Sequence, residues 1–171
     1  MSTLKDKLEV TTNACVILAV ICVGLFIYRS YVIGSSTLSP SKGEQLPHIG
    51  HYAWNSSSHT LLLALRNGCH FCEESMPFYR TLAELKKEGR LNVNLIAVFP
   101  DSAETAQGVL RAQNVDVPAI SGVTLADLKV GGTPTLILTN NTGKVEQYWV
   151  GKQDKSGESA ILNAVTKKDS L

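Results

Sequence analysis

The most constraining feature of the sequence is the pair Cys69 and Cys72, in a C-x-x-C spacing behind an unbroken apolar run and a turn. Leu61 to Leu65 (LLLAL) has the composition of a strand covered on both faces. Asn67-Gly68 is a turn signal that ends it. A helical pattern then opens, with Cys72, Met76, Tyr79, Leu82, Ala83 and Leu85 recurring at three- and four-residue steps. Glu73 and Glu74 fall in its first turn, Lys86 and Lys87 in its last, and Gly89 just beyond, matching the polarity of a helix. Cys69 is thereby placed at a helix N-terminus, where unpaired backbone N–H groups and the dipole favour a thiolate. A thiolate is the attacking species in thiol–disulfide exchange. A cysteine one turn on can reach the same sulfur, so the spacing reads as attack by Cys69 and resolution by Cys72.

The cysteine usage points the same way. A secreted domain held by a disulfide framework has several pairs spread along the chain. Here one pair closes a very short loop, which removes little unfolded-state entropy. Redox exchange explains it better than stabilisation. His70, between the cysteines, can stabilise the thiolate when protonated; an inert exposed loop residue is the other reading. Phe71 reads as an exposed lip that touches a partner chain. His48, His51 and His59 have no regular spacing, so no metal site and no cofactor are expected.

Only 18% of the 171 residues are charged against 44% hydrophobic, which excludes intrinsic disorder. The formal net charge of +1 leaves no electrostatic footprint for nucleic acid. The apolar residues are unevenly spread: Val10 to Tyr28 carries no formal charge. At about 1.5 Å per residue that segment would span roughly 28 Å as a helix, close to the hydrocarbon thickness of a bilayer. It reads as a single membrane anchor with the N-terminus inside, Arg29 and Tyr31 lying at the interface. A cleaved signal peptide ending near Gly34-Ser35-Ser36 is the alternative. Either places the remainder outside the cytoplasm.

Ser35 to His51, rich in Ser, Pro and Gly, reads as a linker. Residues 47 to 60 are expected to add an edge strand or a polar cover. Asn92 to Phe99 reads as a second strand. Asp101, with Glu104 at the reciprocal position, reads as the cap of a helix running to Asn114. Thr124 with Asp127 signals a short helix over Leu125 and Leu128. Thr135 to Leu138, the turn Asn141-Thr142-Gly143 and Val145 to Val150 form a hairpin, and Ser156 to Lys168 is a final helix. The sum is an α/β domain whose sheet has a parallel centre and an antiparallel edge. Pro134 directly precedes a strand, either as a trans residue opening it or in a cis bond with Thr133 that costs about 0.5–1 kcal/mol.

These residues resemble the thioredoxin-like superfamily, and within it the membrane-anchored TlpA/ResA-type thiol–disulfide oxidoreductases. The resemblance rests on Cys69-His70-Phe71-Cys72 after an apolar strand, on Pro77 five residues past the second cysteine, on Gly132-Thr133-Pro134-Thr135, and on the hairpin through Tyr148-Trp149-Val150-Gly151. The stretch from Asp101 to Val130 is similar to the helical insertion of that branch. The resemblance implies a mixed sheet with helices on both faces, preceded by a single transmembrane helix. The corresponding division is a tail (1–9), a transmembrane anchor (10–33), a linker (34–52) and a thioredoxin-like domain (53–171). It implies catalysis by Cys69 and Cys72, with His70, Glu73 and Glu74 as auxiliary groups and Phe71, Thr133 and Pro134 binding substrate. Thr133-Pro134 matches the family's cis-proline loop.

Implied partners are protein thiols or disulfides, a membrane redox partner and the lipid bilayer, in a periplasmic or equivalent compartment. The branch's usual role is reductive, for example keeping apocytochrome haem-binding cysteines reduced during cytochrome c maturation. Reduction is favoured on that ground. A disulfide-forming oxidase, a thiol peroxidase and a non-catalytic peptide-binding adaptor are the alternatives. The sequence departs from cytoplasmic thioredoxins in lacking the Trp and Pro of their motif. Leu63 stands where those proteins carry a buried acid, so proton removal from Cys72 is expected through water or through another acid, Glu73 and Glu74 being the candidates.

Overall fold

The apolar run is a strand, β1 (His59–Ala64), and Leu61, Leu62, Leu63 and Leu65 are wholly buried. Burying one leucine side chain is worth about 1.5–3 kcal/mol, and a strand apolar on both faces secures that only at the sheet centre. There it pairs in parallel with β2 (Asn94–Val98), its other neighbour being an antiparallel strand, β4 (Thr135–Asn140). β3 (Ala119–Ile120) adds to β2 in parallel, and β5 (Val145–Val150) adds to β4 antiparallel. The order is β3-β2-β1-β4-β5, the expected mixed sheet with its antiparallel edge. The computed structural model describes residues 17, 20–24 and 38–166. The sheet lies within the unit that begins at Leu38, distinct from the unit 1–37.

In the unit that begins at Leu38 the described helices are α1 (His70–Lys87), α2 (Ala103–Ala112) and α3 (Lys155–Val165). Their buried residues, among them Met76, Tyr79 and Leu82 of α1, Leu110 of α2 and Ile161 of α3, share one apolar cluster with Leu61, Leu63 and Leu136. All three helices therefore cover one face of the sheet, not both as expected. Connectivity is the reason. The steps from β1 to β2 and from β2 to β3 run in one direction across the sheet, and right-handed crossovers then put both helices on one side. The opposite face, with Leu62, Ile96, Val98 and Ile137, is closed by Leu46, Ile49, Leu128, Val130 and Trp54 of a 3-10 turn at Trp54–Ser56. Residues 38–52, expected as linker, thus supply part of the core.

Two local expectations change. α2 is capped by Ser102, whose hydroxyl accepts from the Thr105 N–H at 3.3 Å, while Asp101 is engaged elsewhere. The segment after Thr124 forms hydrogen-bonded turns, not a helix, with the Lys129 N–H donating to Ala126 O and the Val130 N–H to Leu125 O.

The expected transmembrane helix is corrected. Among the described residues no helix is long and apolar enough to cross a membrane. Of the segment 10–33, residues 17 and 20–24 are described, as helix, and the rest lies outside the described residues. A spanning helix needs about 20 apolar residues, and an uncharged stretch of sequence does not by itself supply one. The bilayer partner, the membrane redox partner, the extracytoplasmic location and the signal-anchor reading rested on that span and are withdrawn with it.

Candidate active site

Gly68 adopts φ +67°, a conformation open to glycine without strain, and turns the chain from β1 into α1. Cys69 follows as the N-cap of α1, with extended backbone at φ −90° and ψ 107°. Its Sγ takes the place of the oxygen that usually caps a helix, accepting the Cys72 N–H at 3.2 Å. The turn is tied from behind: the Asn67 N–H donates to Asp101 Oδ2 at 3.0 Å. Asp101 was expected to cap a helix; its carboxylate instead holds the approach to the cysteines.

The two sulfurs are joined in a disulfide, with Cα atoms 5.2 Å apart. Both residues are enclosed, Cys72 (1% exposed) more fully than Cys69 (7% exposed). The Thr133 hydroxyl donates to Cys69 Sγ at 3.3 Å. The Thr133 carbonyl oxygen lies at the same distance from that sulfur; the disulfide sulfur has no proton to give it, but a reduced thiol has. Thr133-Pro134 is cis. Pro134 is buried, and its carbonyl accepts the Gly151 N–H at 2.7 Å. The loop meets the sulfur from the head of β4, the strand paired with β1.

The auxiliary groups are placed less uniformly. His70 is exposed, and its Nε2 lies 3.4 Å from Glu74 Oε1. The other Glu74 oxygen is 3.1 Å from Lys152 Nζ, so this acid is held by two basic groups at the rim. Glu73 is exposed on the first turn. Phe71 projects into solvent at 56% exposure, in keeping with a lip. Leu63 is wholly buried in the cluster that contains both cysteines. Burial pushes the Tyr79 hydroxyl well above the usual tyrosine range, against the opposing hydrogen bond with Ser75, so Tyr79 serves as neutral packing behind the site. Pro77 lies inside α1, where it cannot donate to the carbonyl of Glu73.

Sequence reasoning missed Lys152, and nothing in the local sequence marks it. It also missed Leu38, whose carbonyl accepts the Gly131 N–H at 2.7 Å, two residues before Thr133. A Cβ on Gly131 would lie 2.7 Å from that carbonyl oxygen, so the approach is one that glycine permits.

No protein-family model matches the sequence, and no curated protein matches it. Solved structures do. One is a candidate thiol:disulfide interchange protein DsbE from Chlorobium tepidum, with TM-score 0.59 and 22% identity over 73% of this chain and 95% of that one. A thiol:disulfide interchange protein from Bacteroides sp. also gives 0.59, at 14% identity, over 77% of this chain and 94% of its own. StoA from Bacillus subtilis gives 0.52 at 16% identity, over 64% of this chain and 83% of its own. The fold is thioredoxin-like. A C-x-x-C disulfide at the head of the first helix of such a fold supports oxidoreductase activity.

Proposed function

We propose that this chain is a thiol–disulfide oxidoreductase acting on protein thiols, with Cys69 as attacking and Cys72 as resolving residue. The observation that carries the reading is the environment of Cys69 Sγ, which receives the Cys72 N–H and the Thr133 hydroxyl at 3.2 and 3.3 Å. Donors aimed at a sulfur favour its anionic form. In the reduced protein the Cys69 thiolate attacks a substrate disulfide. A Cys69–substrate bond forms, the substrate S–S bond breaks, and one substrate thiolate leaves. The Cys72 thiolate then attacks Cys69 Sγ, re-forming the internal disulfide and releasing the second substrate thiol. Substrate gains two electrons and the pair loses them, to be restored by a dithiol reductant.

A polypeptide substrate suits the surface. Within residues 38–166 the large apolar side chains left exposed are Leu38, Phe71, Tyr148 and Val150. Phe71 adjoins the reactive pair, Leu38 is bonded to Gly131, and Val150 and Tyr148 pair with Thr135 and Ile137 on the strand that leaves Pro134. We take Thr133 and Pro134, with Phe71, as the substrate-binding edge. Reduction is the preferred direction because of the similarity to the TlpA/ResA branch; about 30 mV separates a tenfold difference in this equilibrium.

The test uses the full chain carrying Cys72→Ser, incubated with a disulfide-bonded test protein such as insulin. A mixed disulfide through Cys69 supports the assignment, together with turnover by the parent protein in the presence of dithiothreitol. No adduct, or adducts formed equally by Cys69→Ser, rejects it.

A further inference from the structure

We infer that Lys152 is a positioning residue for this exchange chemistry: it engages Glu74 across the rim of the site and offsets a negative charge that would otherwise oppose ionisation of Cys69. The inference rests on the proposed function and adds a residue from a different part of the chain. Lys152 lies in the link between β5 and α3, next to Gly151, whose N–H is bonded to the Pro134 carbonyl at 2.7 Å. Its Nζ reaches Glu74 Oε2 at 3.1 Å, and the other oxygen of Glu74 meets His70 Nε2 at 3.4 Å. The three side chains form a bridge from the residue after Cys69 to the loop that supports Pro134.

The local balance of charge gives the bridge its effect. Around the cysteines, α1 contributes His70, Glu73 and Glu74, and the preceding turn contributes Arg66. Asp101 is bonded to Asn67. Glu158 of α3 shares a small cavity, about 10 Å³ in volume, with Glu74 and Lys152. Glu158 is itself paired with Lys155 at 3.0 Å, and the carboxylates still outnumber the permanent cations Arg66, Lys152 and Lys155. A carboxylate near a thiol disfavours its thiolate, and Glu74 stands on the same helix end as the sulfur. Pairing Glu74 with an ammonium group cancels much of that field. The pair is partly exposed, with side-chain exposures of 36% for Glu74 and 47% for Lys152. The effect is therefore modest and sensitive to salt.

The experiment follows alkylation of Cys69 against pH in the full chain carrying Cys72→Ser, at low and at high ionic strength. Lys152→Met is expected to raise the midpoint by about half a unit and to slow alkylation at pH 7 about threefold at low salt. Lys152→Arg should stay near the parent, and about 1 M salt should close most of the gap. In a Glu74→Gln background, Lys152→Met should lose more than half of its effect, because the charge it offsets is gone. An unchanged midpoint in Lys152→Met overturns the inference, and so does an equal shift with and without Glu74. Failure of the proposed function is distinct: the parent Cys69 would form no mixed disulfide with insulin, whatever occupies position 152.

Discussion

The hydroxyl of Thr133 donates to the Sγ of Cys69 at 3.3 Å, joining two residues 64 positions apart in the chain. A hydrogen bond to a charged group contributes about 1.5–3 kcal/mol, roughly twice one to a neutral group, so its loss weighs most on the thiolate. Thr133→Val, which keeps the shape of the side chain and removes the donor, should raise the alkylation midpoint of Cys69 by about one pH unit. A midpoint within a tenth of the parent value would remove the hydroxyl from the account of the site.

Asp101 acts through the backbone. Its Oδ2 accepts the Asn67 N–H at 3.0 Å, one residue before the glycine that turns the chain into Cys69. Asp101→Ala should lower stability by about 1 kcal/mol, the net worth of one such bond. Asp101→Asn, which retains an acceptor oxygen, should recover most of it. Urea denaturation of the three proteins decides: equal midpoints for Ala and Asp would show that water replaces the carboxylate without loss.

The strand, turn and helix around the cysteines were legible because each is specified locally. An apolar run, an Asn-Gly turn and a three- and four-residue periodicity all lie within the stretch from Leu61 to Gly89. The hairpin from Thr135 to Val150 was legible for the same reason, its turn being closed by Asn140 Oδ1, which accepts the Thr142 and Lys144 N–H groups at 2.9 and 3.0 Å. What could not be read depends on distant partners. β3 is a strand only through its pairing with Ala97 and Val98, and two residues carry no periodicity. Leu46 and Ile49 sit in a stretch rich in Ser, Pro and Gly, and their burial is set by the sheet face they happen to meet. The one-sided placement of helices follows from strand order, which no local pattern encodes. Asp101 had the right position for a cap and lost that role to its neighbour Ser102, because the turn before Cys69 offered its carboxylate an N–H.

Adjacent glycines separate packing from backbone freedom. A Cβ on Gly131 would stand 2.7 Å from Leu38 O and 3.0 Å from Leu38 N, whereas a Cβ on Gly132 would meet nothing within 4 Å. Both substitutions to alanine reduce unfolded-state freedom alike, a gain of about 0.4–1 kcal/mol where the native backbone tolerates it. Gly132→Ala should therefore leave stability unchanged or slightly raised. Gly131→Ala should lower it by about 1–3 kcal/mol, the usual cost of overpacking. Matching urea midpoints for the two variants would show that the 38–40 segment yields freely.

Glu44 fastens the same segment at a second point. A hydrogen bond from Lys129, foremost, and one from the Ser41 N–H at 3.0 Å hold its carboxyl below the usual glutamate range, against a smaller opposing effect of burial. A carboxyl whose native pKa lies below its unfolded value of about 4.3 contributes stability in full above that value. The contribution disappears as pH falls through the native value, where both states bind the proton. Because the Lys129 partner is half exposed, the contribution at neutral pH is below about 1 kcal/mol. Glu44→Gln should therefore be less stable than the parent at pH 7, and the difference should shrink as pH drops below about 4. Chemical denaturation across that range measures it, and a difference that persists undiminished in acid would mean that Glu44 stabilises by packing and not by charge.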